Sequence, residues 1–175
     1  MSKILLVLIS VVTLFTGCSS SEPEITSSYA KAKLHDLSQG LDVRYDDMKD
    51  AVICRCTAEL EDNLFFIPRV EIDNKFKPEL YFQAFHISRS LTYFNKLYIR
   101  SENKTTKFEA NTNEYNGVMN RDVYEILKDG VASKYIKIRL EGRDMDEREL
   151  SASEIAQIGE VLNIYEYFSK VKVVN

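Results

Sequence analysis

Residues 136–141 (IKIRLE) alternate apolar and charged side chains without interruption. Successive side chains of a β-strand point to opposite faces of a sheet, so this alternation predicts a strand with one face in the core and the other in water. Sheets with one wet face are typical of antiparallel pairing, because parallel sheets are usually covered by helices on both sides. The segment therefore favours a fold built around an antiparallel sheet.

Six further segments are dense in Tyr, Phe, Ile and Val, the residues that half-buried strands prefer. In the third of them Pro68 has no backbone N–H to donate, so we expect that strand to lie at a sheet edge or to bend. The six predicted strands cover residues 41–45, 50–57, 63–72, 79–89, 92–100 and 105–110.

Three segments predict helices. Residues 26–38 form a short candidate, and residues 121–129 are followed by Gly130, which favours a C-terminal stop. The third segment, residues 151–170, begins with Ser-Ala-Ser-Glu, a capping box that satisfies free backbone N–H groups at a helix start. An apolar stripe at helical spacing follows the box, and we expect it to pack on the sheet. The stripe consists of Ile155, Ile158, Leu162, Tyr165 and Phe168.

Together these segments predict a mainly β fold, an antiparallel β-sandwich of six to eight strands closed by a C-terminal helix. A compact α+β sheet with helices on one face is the alternative. Of the 175 residues 45% are hydrophobic, so a single globular domain over residues 29–175 can form a core without disulfides or metals. Residues 44–47, 136–143 and 151–154 also resemble features of small uncharacterised exported bacterial proteins, a likeness that carries no activity with it.

The N-terminus carries one positive charge, Lys3, followed by the almost wholly apolar residues 4–15. A helix needs about 20 apolar residues to span a bilayer, so this stretch fits the shorter apolar region of a secretory signal peptide. Residues 15–18 (FTGC) resemble the lipobox of bacterial lipoproteins, in which a bulky apolar residue, a small residue and Gly or Ala precede Cys. The family usually has Leu where Phe15 stands.

The resemblance implies cleavage between Gly17 and Cys18 and a diacylglycerol on the Cys18 thiol through a thioether. It also allows acylation of the new α-amino group, and two or more acyl chains hold a protein stably at a membrane. Residues 1–17 would then be a lipoprotein signal peptide, and residues 18–28 the lipidated Cys with a flexible, polar tether. In the family, Asp after the Cys often marks inner-membrane retention. Ser19 at this position favours the outer membrane of the cell envelope if the cell is Gram-negative.

Cys54 and Cys56 flank Arg55 in a predicted strand, which places the two thiols on one face. This pattern favours two small buried residues. A disulfide between Cys54 and Cys56 is an alternative that requires a bulge or turn, because an extended i,i+2 pair holds its α-carbons near the upper limit of disulfide reach. A metal or redox role requires more ligands, and no Cys/His cluster accompanies the pair. We therefore predict no metal site and no cofactor.

The sequence has two histidines, His35 and His86, in different segments and without a metal-ligand spacing, so we expect both to be structural. It has neither a Gly-x-Ser-x-Gly elbow nor a Gly-rich phosphate loop. Acidic residues cluster at 46–50 and again at 144–149. A calcium loop requires Gly at its sixth position, where the second cluster has Glu149, so we expect both clusters to be solvated loops.

The charge balance excludes one class of partner. With 23 Lys+Arg against 27 Asp+Glu and no basic block, the chain is a poor candidate for binding nucleic acid. Its 10 Tyr residues allow an exposed Tyr patch for a protein or glycan. Because the sequence predicts an anchor and contains no recognisable catalytic constellation, we expect a non-enzymatic, lipid-anchored envelope protein that binds or assembles with an envelope protein or wall component. An inhibitor or immunity-type lipoprotein is a narrower form of this hypothesis, and an envelope hydrolase and a structural spacer are alternatives.

Overall fold

A computed structural model describes residues 22–57, 63–87, 93–112 and 114–174 of the chain. Eleven strands and three helices lie in these residues. In chain order they are β1 (Glu24–Thr26), α1 (Ser27–Leu37), β2 (Asp42–Asp46), β3 (Ala51–Arg55), β4 (Leu64–Asp73), β5 (Pro78–His86), β6 (Phe94–Arg100), β7 (Thr105–Thr112), β8 (Glu114–Val118), α2 (Arg121–Ser133), β9 (Lys137–Gly142), β10 (Met145–Glu149), α3 (Ala152–Phe168) and β11 (Lys172–Val174).

Two antiparallel sheets form the body of the protein. One has five strands in the order β2-β3-β4-β5-β8, and the other has four in the order β10-β9-β6-β7. They meet where Phe82 of β5 contacts Phe108 of β7, with ring centroids 5.9 Å apart. Helix α3 packs on β4 and β5, α2 packs on β6 and β7, and the two helices pack on each other. The fold is mainly β, a sandwich-like α+β arrangement with a C-terminal helix, as predicted.

The alternating segment occupies the middle of the four-stranded sheet. Ile138 pairs with Ile99 and Leu140 with Leu97 of β6, and all four side chains are fully buried. Arg139, on the opposite face, lies with its guanidinium carbon 5.3 Å from the centre of a Tyr ring in β6. The predicted division into a core face and a wet face is therefore confirmed.

Helix α3 begins as predicted, whereas α2 does not end as predicted. The Ser151 side chain accepts from the backbone N–H of Glu154, and the Glu154 carboxylate accepts from the backbone N–H of Ser151. Helix α2 continues past Gly130 to Ser133 and stops at Lys134, which has a left-handed φ of 58°. A Cβ on Gly130 would lie 2.3 Å from a side-chain carbon of Ile136, so this glycine permits close packing and does not stop the helix.

Of the two alternatives that Pro68 indicated for residues 63–72, an edge strand or a bend, the edge strand is wrong, because β4 pairs with β3 on one side and β5 on the other. The carbonyl of Pro68 accepts from the backbone N–H of Cys56, at 3.1 Å, one residue beyond the end of β3. The missing N–H of Pro68 therefore falls where the β3–β4 ladder ends. A central strand tolerates proline at this position because no further ladder bond is lost.

The expectation of a solvated loop at residues 144–149 is also wrong, because Met145–Glu149 forms strand β10 against β9. The inward-facing Asp146 and Arg148 are stabilised by His86 and Glu154 respectively, so these charges do not prevent strand formation. Strands β1, β8 and β11 were not predicted either. Residues 24–28, assigned to the tether from the sequence, form β1 and the start of α1, and β1 pairs in parallel with β11.

Candidate functional site

An open groove separates helix α1 from strands β2 and β3. We call it the α1–β2 groove. Two adjoining cavities, about 510 and 300 Å³ in volume, share Lys31, Leu34 and Val52 in their walls and make up the groove. Both volumes are within or close to the range of small-ligand and peptide side-chain sites. The apolar part of its lining consists of Leu34, Leu41, Val43, Val52, Ile72 and Phe76.

The groove exists because α1 covers its sheet incompletely. Within this 11-residue helix only Ala30 and Leu34 are buried. The helix is fixed at its start by Thr26, whose hydroxyl accepts from the backbone N–H of Tyr29. On the sheet side, Val43 remains 46% exposed and Tyr45 60% exposed although both point toward the groove. Apolar side chains that remain open at a concave surface are typical of binding sites.

Strand β2 runs along the groove and forms one edge of the five-stranded sheet. Its residues pair with β3 alone, with Val43 opposite Cys54 and Tyr45 opposite Val52. No strand among residues 22–57, 63–87, 93–112 and 114–174 pairs with the other edge of β2. An unpaired edge presents backbone N–H and C=O groups that another strand can use.

The turn from β2 to β3 gives one end of the groove a negative charge. The Asp46 carboxylate accepts from the backbone N–H groups of Met48 and Lys49, at 3.0 and 3.2 Å. The Asp50 carboxylate accepts from the Tyr45 hydroxyl and from an Asn side chain in the next hairpin. The hydrogen bond from Tyr45 lowers the pKa of Asp50 and raises that of the Tyr45 hydroxyl. Asp50 is therefore charged over the whole neutral range, and Met48 beside it is 98% exposed.

The predicted thiol pair lies behind the groove, in the core. Cys54 and Cys56 are buried on the inner side of the sheet and are free thiols in the structure. Burial raises the pKa of Cys54 to about 11, and it raises the pKa of Cys56 further. Since the thiolate is the nucleophile and the metal ligand, these protonated thiols are suited to packing and not to chemistry.

The two histidines are far apart in the fold. His35 lines the groove and its ring nitrogen Nε2 lies 3.1 Å from the side-chain nitrogen of Gln39. The His86 side chain is 4% exposed and its Nε2 lies 2.6 Å from the Asp146 carboxylate, a contact between the two sheets. Within the part of the chain that the structure describes, no three His, Cys, Asp or Glu side chains are placed to hold a metal ion together.

The acidic run that includes Glu149 contributes to packing and not to a cleft. Arg148 donates two hydrogen bonds to Glu154, at 2.8 and 2.5 Å, and a third to the carbonyl of Leu64 at 2.6 Å. Burial raises the pKa of Glu154, but the bonds from Arg148 and from the Ser151 backbone outweigh burial and lower it overall. This buried ion pair joins β10, β4 and the start of α3.

The predicted lipobox residues Gly17, Cys18 and Ser19 lie outside the described residues. Among those described, no helix has both the length and the apolar character needed to cross a bilayer. The sequence predicted that the groove residues Val43 and Tyr45 lie in a strand, but it gave no indication that they form a site. A five-residue alternation does not reveal which strand will lie at the edge of a sheet.

Comparison of the chain with protein-family models, with curated proteins and with solved structures gave no match.

Proposed function

We propose that this protein is a lipid-anchored binding module of the bacterial cell envelope, and that its α1–β2 groove takes an extended segment of another envelope protein. The single observation that carries the binding part is the unpaired edge of β2 beside an apolar groove. The anchor part rests on the lipobox at residues 15–18.

The recognition mode is strand addition. A segment laid along β2 would pair its backbone with the free edge, and main-chain hydrogen bonds of this kind give affinity without much sequence preference. Alternate side chains of the segment would enter the groove between Leu34 and Val43. The aspartates of the β2–β3 turn favour a basic residue at one end of the segment. The bound segment would therefore have alternating apolar residues and a Lys or Arg at one end.

The lining favours a peptide over a wall glycan. Seven of the lining side chains are aliphatic or carry a Phe or Tyr ring and most of the exposed lining is apolar, whereas a glycan site requires many polar partners for sugar hydroxyls. Burying two apolar side chains contributes about 1.5–3 kcal/mol each, most of which the ordering of a flexible segment offsets. Binding in solution would be weak. Anchoring both proteins to one membrane raises their effective concentration and makes a weak contact sufficient.

The anchor is tested by the chemistry of Cys18. We expect the processed chain to begin at Cys18 and to carry the mass of its acyl groups. Denatured without reductant, that chain titrates two thiols, those of Cys54 and Cys56. Three thiols on a chain of the right length would contradict lipidation, and loss of the Cys54 and Cys56 titration would reveal a disulfide between them. Cys18→Ser should remove the acylated product.

The groove is tested by two valine substitutions on opposite edges of the same sheet. Val43 in β2 is 46% exposed and Val118 in β8 is 64% exposed. After crosslinking in cells, the tagged wild-type protein and its Val118→Lys variant should capture the same partner. The Val43→Lys variant should not capture it. Capture that survives Val43→Lys would contradict the groove as the binding site. Capture that depends on Val118 would locate the site at the other edge.

A further inference from the structure

Another cavity, about 500 Å³ in volume, lies beside Glu22, close to where the described part of the chain begins. Glu22 lines it, and the carbonyl of Pro23 accepts from the backbone N–H of Lys172 at 3.1 Å. Three lysines, Lys75, Lys77 and Lys172, line it against the single carboxylate of Glu22. We call this surface the entry patch. Its apolar floor consists of Phe76, Phe168, Val171 and Val173.

The hairpin between β4 and β5 fixes two of these lysines. The Asp73 carboxylate accepts from the backbone N–H groups of Lys75 and Lys77, at 2.9 and 2.7 Å. Between them Phe76 has a left-handed φ of 60°, which is strained for a bulky residue. Its ring stacks on Phe168 of α3 with centroids 6.0 Å apart. The Phe76 ring is thereby turned toward the helix, and the two flanking lysines are left exposed to solvent.

The lysine charges at this patch are only partly neutralised by the protein. Lys172 lies 2.7 Å from the Glu24 carboxylate. Among the described residues, neither Lys75 nor Lys77 forms an ion pair, but Lys77 also lines a neighbouring cavity that contains the carboxylates of Glu71, Asp73 and Glu79. Exposed ammonium groups around an apolar floor are complementary to a bilayer surface, where lipid phosphates pair with the lysines and the apolar side chains face the glycerol boundary.

The length of chain before the domain places this patch against a membrane. Three residues lie between Cys18 and Glu22. The four Cα-to-Cα steps from Cys18 to Glu22 span about 14 Å at most when fully extended. A diacylglycerol on Cys18 therefore holds the entry patch within that distance of the lipid headgroups. We propose that the entry patch is the membrane-facing surface of the domain and binds the phosphate groups of anionic phospholipids. This inference rests on the proposed lipid anchor and adds a specific lipid contact to it.

The patch also determines where the groove opens. The entry cavity shares Asn74 and Phe76 with the nearer cavity of the α1–β2 groove. A domain that contacts the membrane through the entry patch therefore has one end of the α1–β2 groove next to the membrane surface. The partner segment would therefore be a membrane-proximal one, such as the linker that follows another protein's own anchor.

Lys134 is a matched control on the far side of the helix pair. Tyr124 of α2 packs on Tyr165 near the end of α3, with ring centroids 5.8 Å apart. Val131, further along α2, lies beside Gly159 near the middle of α3. The two helices are thus antiparallel, and Lys134 at the end of α2 lies away from the C-terminal end of α3 and from the entry patch. Lys134 is exposed, as Lys75 and Lys77 are.

The test is lysine acylation of the full lipidated protein in vesicles, followed by mass spectrometry. The protein is reconstituted in phosphatidylcholine alone or in phosphatidylcholine with phosphatidylglycerol. We expect the labelling rates of Lys75, Lys77 and Lys172 to fall about fivefold or more when phosphatidylglycerol is present. High salt should restore these rates, because headgroup attraction is screened. Labelling of Lys134 should stay the same throughout.

The same spectra separate the two hypotheses, because they also report the N-terminal peptide. A lipidated Cys18 with equal labelling of the patch and Lys134 in both vesicles would overturn the entry patch and leave the anchor standing. An unlipidated N-terminus would overturn both. As a second readout, Lys75→Gln/Lys77→Gln should remove the phosphatidylglycerol-dependent protection of Lys172. Protection that persists in this variant would contradict a phosphate contact made by these lysines.

Discussion

Helix α3 packs against the five-stranded sheet, whereas α1 packs on α3 and on the β1–β11 pair and faces β2 and β3 across a groove, so one helix closes its side of the fold and the other leaves its side open. Helix α3 has seven buried residues, and its first turn is held to β10 by the Arg148–Glu154 ion pair. Helix α1 has two buried residues, and the groove lies between it and β2. The comparison shows that the same sheet is covered over its central strands and accessible at its β2 edge.

The difference has a physical basis in how each helix is fixed. Glu154 is buried and pairs with Arg148, so moving α3 would leave a charge without compensation in the core. At the start of α1 the Thr26 hydroxyl makes only local contacts in the described residues, with the Ser28 hydroxyl at 3.2 Å and with the backbone N–H of Tyr29 at 3.4 Å. A loosely held helix beside an open strand edge can adjust to a bound segment without disturbing the core.

Removing the ion pair should give the largest loss of stability. Arg148→Met leaves the Glu154 carboxylate, whose side chain is 6% exposed, without its partner, and we expect the free energy of unfolding to fall by about 3–5 kcal/mol. Urea denaturation measures this loss. Lys137→Met breaks an exposed pair with Glu147 on the same hairpin and should cost less than about 1 kcal/mol. Equal losses of unfolding free energy in the two variants would contradict the conclusion that the buried Arg148–Glu154 pair holds α3 in place.

Apolar truncation should distinguish the two helices next. Ile158 of α3 is 1% exposed, and Ile158→Ala should cost about 2–5 kcal/mol by leaving a cavity. Leu34 of α1 already borders an open groove, so Leu34→Ala should cost about 2 kcal/mol or less. Both values come from denaturation midpoints at constant slope. A larger loss at Leu34 than at Ile158 would show that the groove closes in solution.

Acid should destabilise the fold by protonating Glu166 of α3, which contacts α2. The Lys128 ammonium and then the Tyr124 hydroxyl, both 2.7 Å from its carboxylate, lower its pKa from 4.5 to about 2. A depressed carboxylate pKa stabilises the fold above pH 4.5, and this contribution is lost as the pH falls toward 2. Allowing for solvent screening, we expect this contribution to the free energy of unfolding to be about 1 kcal/mol. Urea denaturation at several pH values measures it, and it should be absent in Glu166→Gln.

A carboxylate elsewhere on α2 is the control for this acid effect. Glu125 forms an exposed pair with Lys104 at 3.5 Å. Glu125→Gln should keep the wild-type pH dependence between pH 4.5 and 2. If Glu166→Gln retains that dependence as well, the contact between α2 and α3 does not contribute to acid stability.

Substitution at the open edge should have the smallest effect on stability. Val43 is 46% exposed, and the aliphatic stem of a lysine can lie along the same apolar surface. We therefore expect Val43→Lys to change the free energy of unfolding by about 0.5 kcal/mol or less. Thermal denaturation beside wild type checks this. A loss above that of Leu34→Ala would mean that Val43 belongs to the core.

The strands and helices of this fold were predictable where the sequence has a regular hydrophobic alternation or a local capping motif. Ile138 and Leu140 alternate with charges, and the Ser151–Glu154 box marks a helix start, so both were placed correctly. Strand β10 was missed because its inward charges are stabilised by His86 and Glu154, which are distant in sequence. Pro68 indicated an edge because local rules do not reveal where the ladder of a neighbouring strand ends.

The candidate site was less predictable for the same reason. A groove depends on which strand lies at the edge and on how far a helix covers it, and both are properties of tertiary packing. The sequence predicts a strand at Val43 and Tyr45 and allows an exposed Tyr patch, but it does not identify Tyr45 as a member. Lipidation is predicted from a short local motif at residues 15–18, which lies outside the described residues, so it stays a prediction.

Site-specific photo-crosslinking from β2 tests the central claim most directly. A photoreactive residue in place of Tyr45 would lie on the rim of the groove, and one in place of Met145, which is 54% exposed on β10, would lie at the edge of the other sheet. In membranes from living cells, we predict a single protein adduct at Tyr45, mapped to an extended segment with alternating apolar residues, and none at Met145. Adducts at Met145 and none at Tyr45 would contradict the groove as the site of binding.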